Sequence, residues 1–113
     1  ILSGANLSGA ILTDADCSNV NLMDANLSHA ELSRANLSHT ELSRAILSRA
    51  ILSRAILSHA NLSGAILHCA ICVKSVFFKA VLKNTDFSGA NCFGANFSEA
   101  MIDETTVFAD HAP

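Results

Sequence analysis

AILSRAILSRAILSHA, residues 45–60, states one five-residue phrase three times, with His59 for Arg in the last. Carried outward in both directions, the phrase governs nearly the whole chain. The second residue of every block, from Leu2 to Ile102, is apolar at all 21 positions: fourteen Leu, three Cys, three Phe and one Ile. The residue closing each block, from Ala5 to Ala100, is Ala in 16 of 20 cases, and the exceptions Val20, Thr40, Ser75 and Thr85 are still small. In an α-helix a step of five advances roughly 140° beyond a full turn, which would scatter these leucines around the circumference. One long strand fails as well. Ala and Leu two apart share a face, but the next Ala, three further on, falls on the other side.

A chain that bends once every five residues removes the conflict, because each Ala–x–Leu triplet then returns to the same interior. Ser at the third position of a block (Ser3, Ser8, Ser28, Ser33) and Gly, Asn or Asp at the fourth (Gly4, Gly9, Asp14, Asn19) suit such bends. The period therefore predicts a β-solenoid of very short strands and turns.

Blocks such as ANLSG (5–9), ANLSH (25–29), ANLSG (60–64) and ANFSE (95–99) resemble the pentapeptide-repeat family, and the likeness covers residues 1 to about 104. The resemblance implies an all-β, right-handed, four-sided parallel β-helix in which four blocks close one square coil. About five coils, stacked at the roughly 4.8 Å of a β-ladder, would make a rod about 25 Å tall. Domain organisation follows: residues 1–104 as the β-helix and residues 105–113 as a short C-terminal cap or tail.

With 20 residues per coil, four interior columns can be written out. They begin Leu2–Leu22–Leu42, Leu7–Leu27–Leu47, Leu12–Leu32–Leu52 and Cys17–Leu37–Leu57. Phe77, Phe87 and Phe97 fall on two opposed sides of the last coils, while the third side shrinks to Cys72 and Cys92. That pattern reads as volume compensation within a core layer. Phe108 is the expected plug of the last coil. The absence of a comparable element before Ile1 suggests a missing N-terminal segment or a stacked partner, so the chain reads as part of a longer one or as self-associating.

Function must reside on the outward positions. The family prefers Asn or Asp just before the central residue, as at Asn6, Asn26 and Asn36; this chain departs from that pattern with Ile46, Ile51, Ile56, Ile66, Ile71, Val76 and Val81. Contiguous exposed apolar surface marks contact sites. The densest sector joins Ile51, Ile71, Ile56 and Val76 to Val73, Phe78 and Phe93, framed by Arg54, Lys74 and Lys79. All of these but Ile56, nine residues, form the candidate interaction surface. Charge is banded too: residues 25–84 carry +5, residues 1–24 carry −3 and residues 85–113 carry −5.

Other functions lack their residues. No unbroken apolar run approaches the roughly 20 residues of a membrane-spanning helix, and no targeting segment is visible. His68, Cys69 and Cys72 form a metal-like cluster, but Cys72 should point inward and His68 outward, so no metal or other cofactor is expected. A filled solenoid offers no pocket for a small-molecule substrate, and the repeated Ser and His read as turn and rim residues rather than a catalytic set. Seven Lys and Arg against ten Asp and Glu make a thin nucleic-acid binder. The expectation is a non-catalytic scaffold or protein-interaction module whose partner is another protein or a second copy. The alternative is a DNA mimic acting on a type II topoisomerase, as the resemblance allows, and the basic middle band opposes it.

Overall fold

The computed structural model describes residues 2–108. Along them, single-residue β-bridges alternate with two-residue turns, and no helix interrupts the sequence. Every bridge is parallel. From Asn6↔Asn26 to Val81↔Met101 the partners lie 20 residues apart, which makes each coil four blocks long. Face one carries the central residues Leu22, Leu42, Leu62 and Leu82; face two Leu27, Leu47, Leu67 and Phe87; face three Leu32, Leu52 and Cys72; face four Leu37, Leu57 and Phe77. All of these are buried. The Ala column beside them is buried as well, from Ala25 to Ala90. The Cα trace measures 31 × 20 × 20 Å.

One block shows how the backbone is satisfied. The Leu47 amide donates to the Ile66 carbonyl of the next coil at 2.6 Å, and the Ile46 amide to the Ala25 carbonyl of the previous one at 2.9 Å. The Arg49 amide reaches the His68 carbonyl at 2.9 Å, and the Ala50 amide closes its own turn on the Leu47 carbonyl at 3.0 Å. Four of five amides are thus paired by backbone alone. The fifth, at the serine position, takes a side chain: the amides of Ser28, Ser38 and Ser63 each donate to Oδ1 of the Asn two residues earlier at 3.0 Å. Asn recurs before the central residue because it completes this set.

The turns explain the fourth position. All twenty have positive φ there, between 57° and 73°, and only five of them use Gly. Positive φ at the third residue of a four-residue turn is the requirement of a type II bend. Side chains that ordinarily avoid this conformation, among them Arg49 and Lys74, adopt it because the ladder hydrogen bonds above and below leave no other path.

Three of the four exceptions in the Ala column carry a hydroxyl that finds a carbonyl. Thr40 Oγ1 donates to the Cys17 carbonyl at 3.0 Å, Ser75 Oγ to the Cys72 carbonyl at 2.7 Å and Thr85 Oγ1 to the Leu62 carbonyl at 2.7 Å. Val20 is the apolar exception.

Toward the C-terminus the rings of Phe77, Phe87, Phe97 and Phe108 form a two-by-two lattice. Phe77 stacks on Phe97 at 4.9 Å and Phe87 on Phe108 at 5.4 Å, while the cross pairs meet edge-on at 5.6–5.8 Å. Phe108 occupies the face-two column through a change of step. The last bridge joins Asp86 to Val107, 21 residues apart, because a turn at Asp103–Thr106 adds one residue. The coiled path therefore runs past the boundary drawn at residue 104. Residues 109–113 of the expected cap lie outside the described residues. The terminal coils are less protected than the middle: Leu2 and Ile102 are each 44% exposed.

Candidate interaction surface

Faces three and four and the corners that bound them hold all nine candidate residues, but the geometry divides the nine into two groups. Ile51 and Ile71 are bridged partners on face three, with Val73, Phe93, Arg54 and Lys74 at the corner leading to face four. Phe78 and Lys79 stand at the far corner, between faces four and one, with Val76 on the wall between the groups. Among the apolar members, only Phe93, at 72%, and Ile71, at 40%, are exposed. Ile51 and Val76 on the walls, and Val73 and Phe78 at the corners, are half-buried. The continuous exposed sector read from the sequence is therefore an anchor pair on face three beside a smoother apolar wall.

Phe78 is engaged at its own corner. Its ring meets His59 edge-on at 5.8 Å, His59 stacks flat on His39 at 4.7 Å, and Lys79 Nζ lies 5.4 Å from the Phe78 centroid. Lys79 also faces Glu99 at 4.0 Å. At the corner between faces three and four, Arg34, Arg54 and Lys74 stack as a basic ladder that begins with a neutralised member: Arg34 grips Asp14 with both ends of its fork, at 2.8 and 3.1 Å. That hydrogen bond holds the Asp14 carboxyl below the usual carboxylate range. Arg54 and Lys74, further along the same corner, have no carboxylate within salt-bridge distance among the described residues. They are the unpaired cations next to Ile71 and Phe93.

Ile56, at 41% exposure on face four, and the bridged pair Ile46 and Ile66 on face two, each at 39%, match Ile71 in exposure. The departure from Asn marked them all in the sequence, but only the packing ranks Ile56 above its neighbour Val76. Ile11, 82% exposed on the first coil, carries the same departure from Asn, a signal the sequence reading passed over.

The thiols also sort by position. All four cysteines are free, and Cys72 is buried. The neighbouring Cys92 thiol together with burial pushes the Cys72 thiol up, while Cys72 in turn lowers Cys92. Burial also raises the half-buried Cys17 thiol. Cys69 sits in a turn, its Sγ 3.3 Å from His68 Nε2, and His68 Nδ1 lies 2.9 Å from Ser88 Oγ. Among the described residues no group of three His, Cys, Asp or Glu converges as a metal site would require, and no helix is long and apolar enough to cross a membrane.

The family described as pentapeptide repeats matches residues 1–38, 30–68 and 70–106, in eight copies. The chain is a pentapeptide-repeat protein. Its right-handed four-sided β-helix is shared with solved relatives. The pentapeptide-repeat protein Rfr23 from the cyanobacterium Cyanothece 51142 is 27% identical, with a TM-score of 0.83 over 94% of this chain and 89% of that one. A pentapeptide-repeat protein from the Arabidopsis thaliana thylakoid lumen is 32% identical, with a TM-score of 0.67 over 91% and 68%. One from Nostoc PCC 7120 is 32% identical, with a TM-score of 0.53 over 96% and 77%. No curated protein shows significant sequence similarity to this pentapeptide-repeat protein.

Proposed function

We propose that this pentapeptide-repeat solenoid is a non-catalytic protein-interaction module that docks through face three and the corner beside it. One observation carries the reading. Seven blocks in the middle of the rod give up the Asn or Asp that would bind the fifth amide, and carry Ile or Val instead. An Ile or Val side chain accepts no hydrogen bond, so each such block forgoes a contact of about 0.5–1.5 kcal/mol. On face three that exchange places Ile71 beside the exposed Phe93 and the unpaired Arg54 and Lys74. Apolar anchors with Arg at their margin suit the centre of a protein interface.

The basic waist fits an acidic partner, and the ends of a second copy supply one, with net charges of −3 and −5 against +5 in the middle. The same waist opposes a DNA-mimic role on a type II topoisomerase, which needs a continuous acidic wall along the rod.

The test is absolute mass in solution across a concentration series, for the parent and for a variant with Ile71→Asn and Phe93→Ser. The side-chain amide introduced by Ile71→Asn would take the role that Asn91 plays one coil above, where its Oδ1 accepts the Phe93 amide at 3.1 Å, so the variant keeps its fold. A dimeric parent and a monomeric variant support the surface. A parent that stays monomeric throughout, or a variant that dimerises as well as the parent, overturns docking of a second copy on this face.

A further inference from the structure

Three of the four cysteines occupy inward columns; Cys69 alone sits in a turn, on the corner between faces two and three. It does not stand alone there. Its Sγ lies 3.3 Å from His68 Nε2, and the opposite ring nitrogen, Nδ1, lies 2.9 Å from Ser88 Oγ. With Nδ1–H donated to Ser88, Nε2 is the acceptor, which is the tautomer that can receive the thiol proton. Ser88 is itself held by its amide, which donates to Asp86 Oδ1 at 2.8 Å. A nucleophile, a base within reach and a third group orienting the base are the parts of an activated thiol.

The surroundings keep that thiol open and electropositive on one side. Gly89 stands directly above it, and a Cβ there would come within 3.0 Å of Cys69 Sγ, so the bare glycine leaves the sulfur its approach. Below, Arg49 shares the corner, its amide bound to the His68 carbonyl at 2.9 Å, and its guanidinium has no carboxylate within salt-bridge distance among the described residues. Asp86, whose Oδ1 accepts the Ser88 amide, and Arg49, whose amide binds the His68 carbonyl, are the charged residues tied to this corner. Reactive thiols occur in partly exposed settings next to His and Arg.

We propose that Cys69 is a thiol-exchange site that takes up low-molecular-weight disulfides, with His68 as its base. The Cys69 S–H proton passes to His68 Nε2, and the thiolate attacks one sulfur of the disulfide. The Cys69–S bond to that sulfur forms as the original S–S bond breaks. The departing thiolate then takes the proton back from His68 and leaves as a free thiol, so one disulfide and one thiol enter and one of each leaves. This site is independent of the docking surface: it lies at the opposite corner of face three from Arg54 and Lys74.

The test uses the full chain and glutathione disulfide, followed by intact-mass and peptide mass spectrometry from pH 5.5 to 8.5. Cys69 is expected to be modified before Cys17, Cys72 and Cys92. His68→Ser, which installs the residue found at the equivalent Ser28, Ser48 and Ser88, should keep the fold. It should also slow the Cys69 reaction by about a hundredfold at neutral pH, the low end of what a positioned base contributes. Its rate should then climb with pH as an ordinary thiol's does, without the imidazole-dependent inflection. Ser88→Ala should give a smaller slowing. First modification at Cys17, Cys72 or Cys92 overturns the proposal, as does an unchanged rate and pH profile in His68→Ser.

Discussion

The compensation between Cys72 and Phe77 can be measured by replacing both with leucine, singly and together. Coil three holds four leucines inside (Leu42, Leu47, Leu52, Leu57), and coil four holds Leu62, Leu67, Cys72 and Phe77, all fully buried. The double variant rebuilds coil four on the pattern of coil three. Cys72→Leu alone forces extra volume into a filled layer, at a cost of about 1–3 kcal/mol. Phe77→Leu alone removes the ring that stacks on Phe97 at 4.9 Å and meets Phe87 edge-on at 5.6 Å. Each such pair contributes about 0.5–1.5 kcal/mol, so that loss comes to about 2 kcal/mol. Independent sites would make the double variant about 4 kcal/mol less stable. If the two side chains share one volume, the second leucine fits the space that the ring leaves, the steric strain disappears and only the aromatic contribution is lost. The double variant is then about 2 kcal/mol less stable, a coupling of about 2 kcal/mol. Urea unfolding followed by circular dichroism supplies the four midpoints, compared at a common slope. A double variant within about 0.5 kcal/mol of the summed single effects would refute the shared-volume argument.

Two further predictions concern the wall and the turns. The Ser18 hydroxyl and amide bonds hold the Asp16 carboxyl below its ordinary value, so its stabilisation is complete above about pH 4, where the unfolded carboxyl ionises, and fades as pH falls through the lower folded value. Asp16→Asn keeps an Oδ1 acceptor of the kind Asn36 offers Ser38; stability at pH 7 should be unchanged and the loss between pH 4 and 2 shallower, whereas an unaltered acid limb would count against the assignment. His29, held at φ 61° on an exposed turn, should gain from His29→Gly. Relief of about 1–2 kcal/mol of left-handed strain exceeds the roughly 0.5–1 kcal/mol that glycine adds to unfolded-chain entropy, and a lowered urea midpoint would show that the ladder holds this turn without strain.

The five-residue period by itself determined a chain that bends once per block and the sorting of its side chains into inward and outward, because a block that bends once always returns its second residue to the core. The square coil, and with it the membership of each interior column and the placement of Phe77, Phe87 and Phe97 opposite a Cys side, came from the resemblance to the family. What only the tertiary structure decided lies between coils, where the partner of a side chain is 20 residues away and its height and rotamer matter. That distance is why Phe93 and Ile71 stand clear while Ile51 and Val76 are half-covered, why Asp14 takes Arg34 out of the basic ladder, and why Phe78 belongs to the His39–His59 stack. It is also why the extra residue at Asp103–Thr106 carries Phe108 onto Phe87, and why Cys69, in the sequence a member of a metal-like cluster, lies under Gly89 while its neighbour His68 meets Ser88. Period is a property of one strand of chain, whereas exposure and partnership are properties of neighbouring coils, and only stacking brings those together.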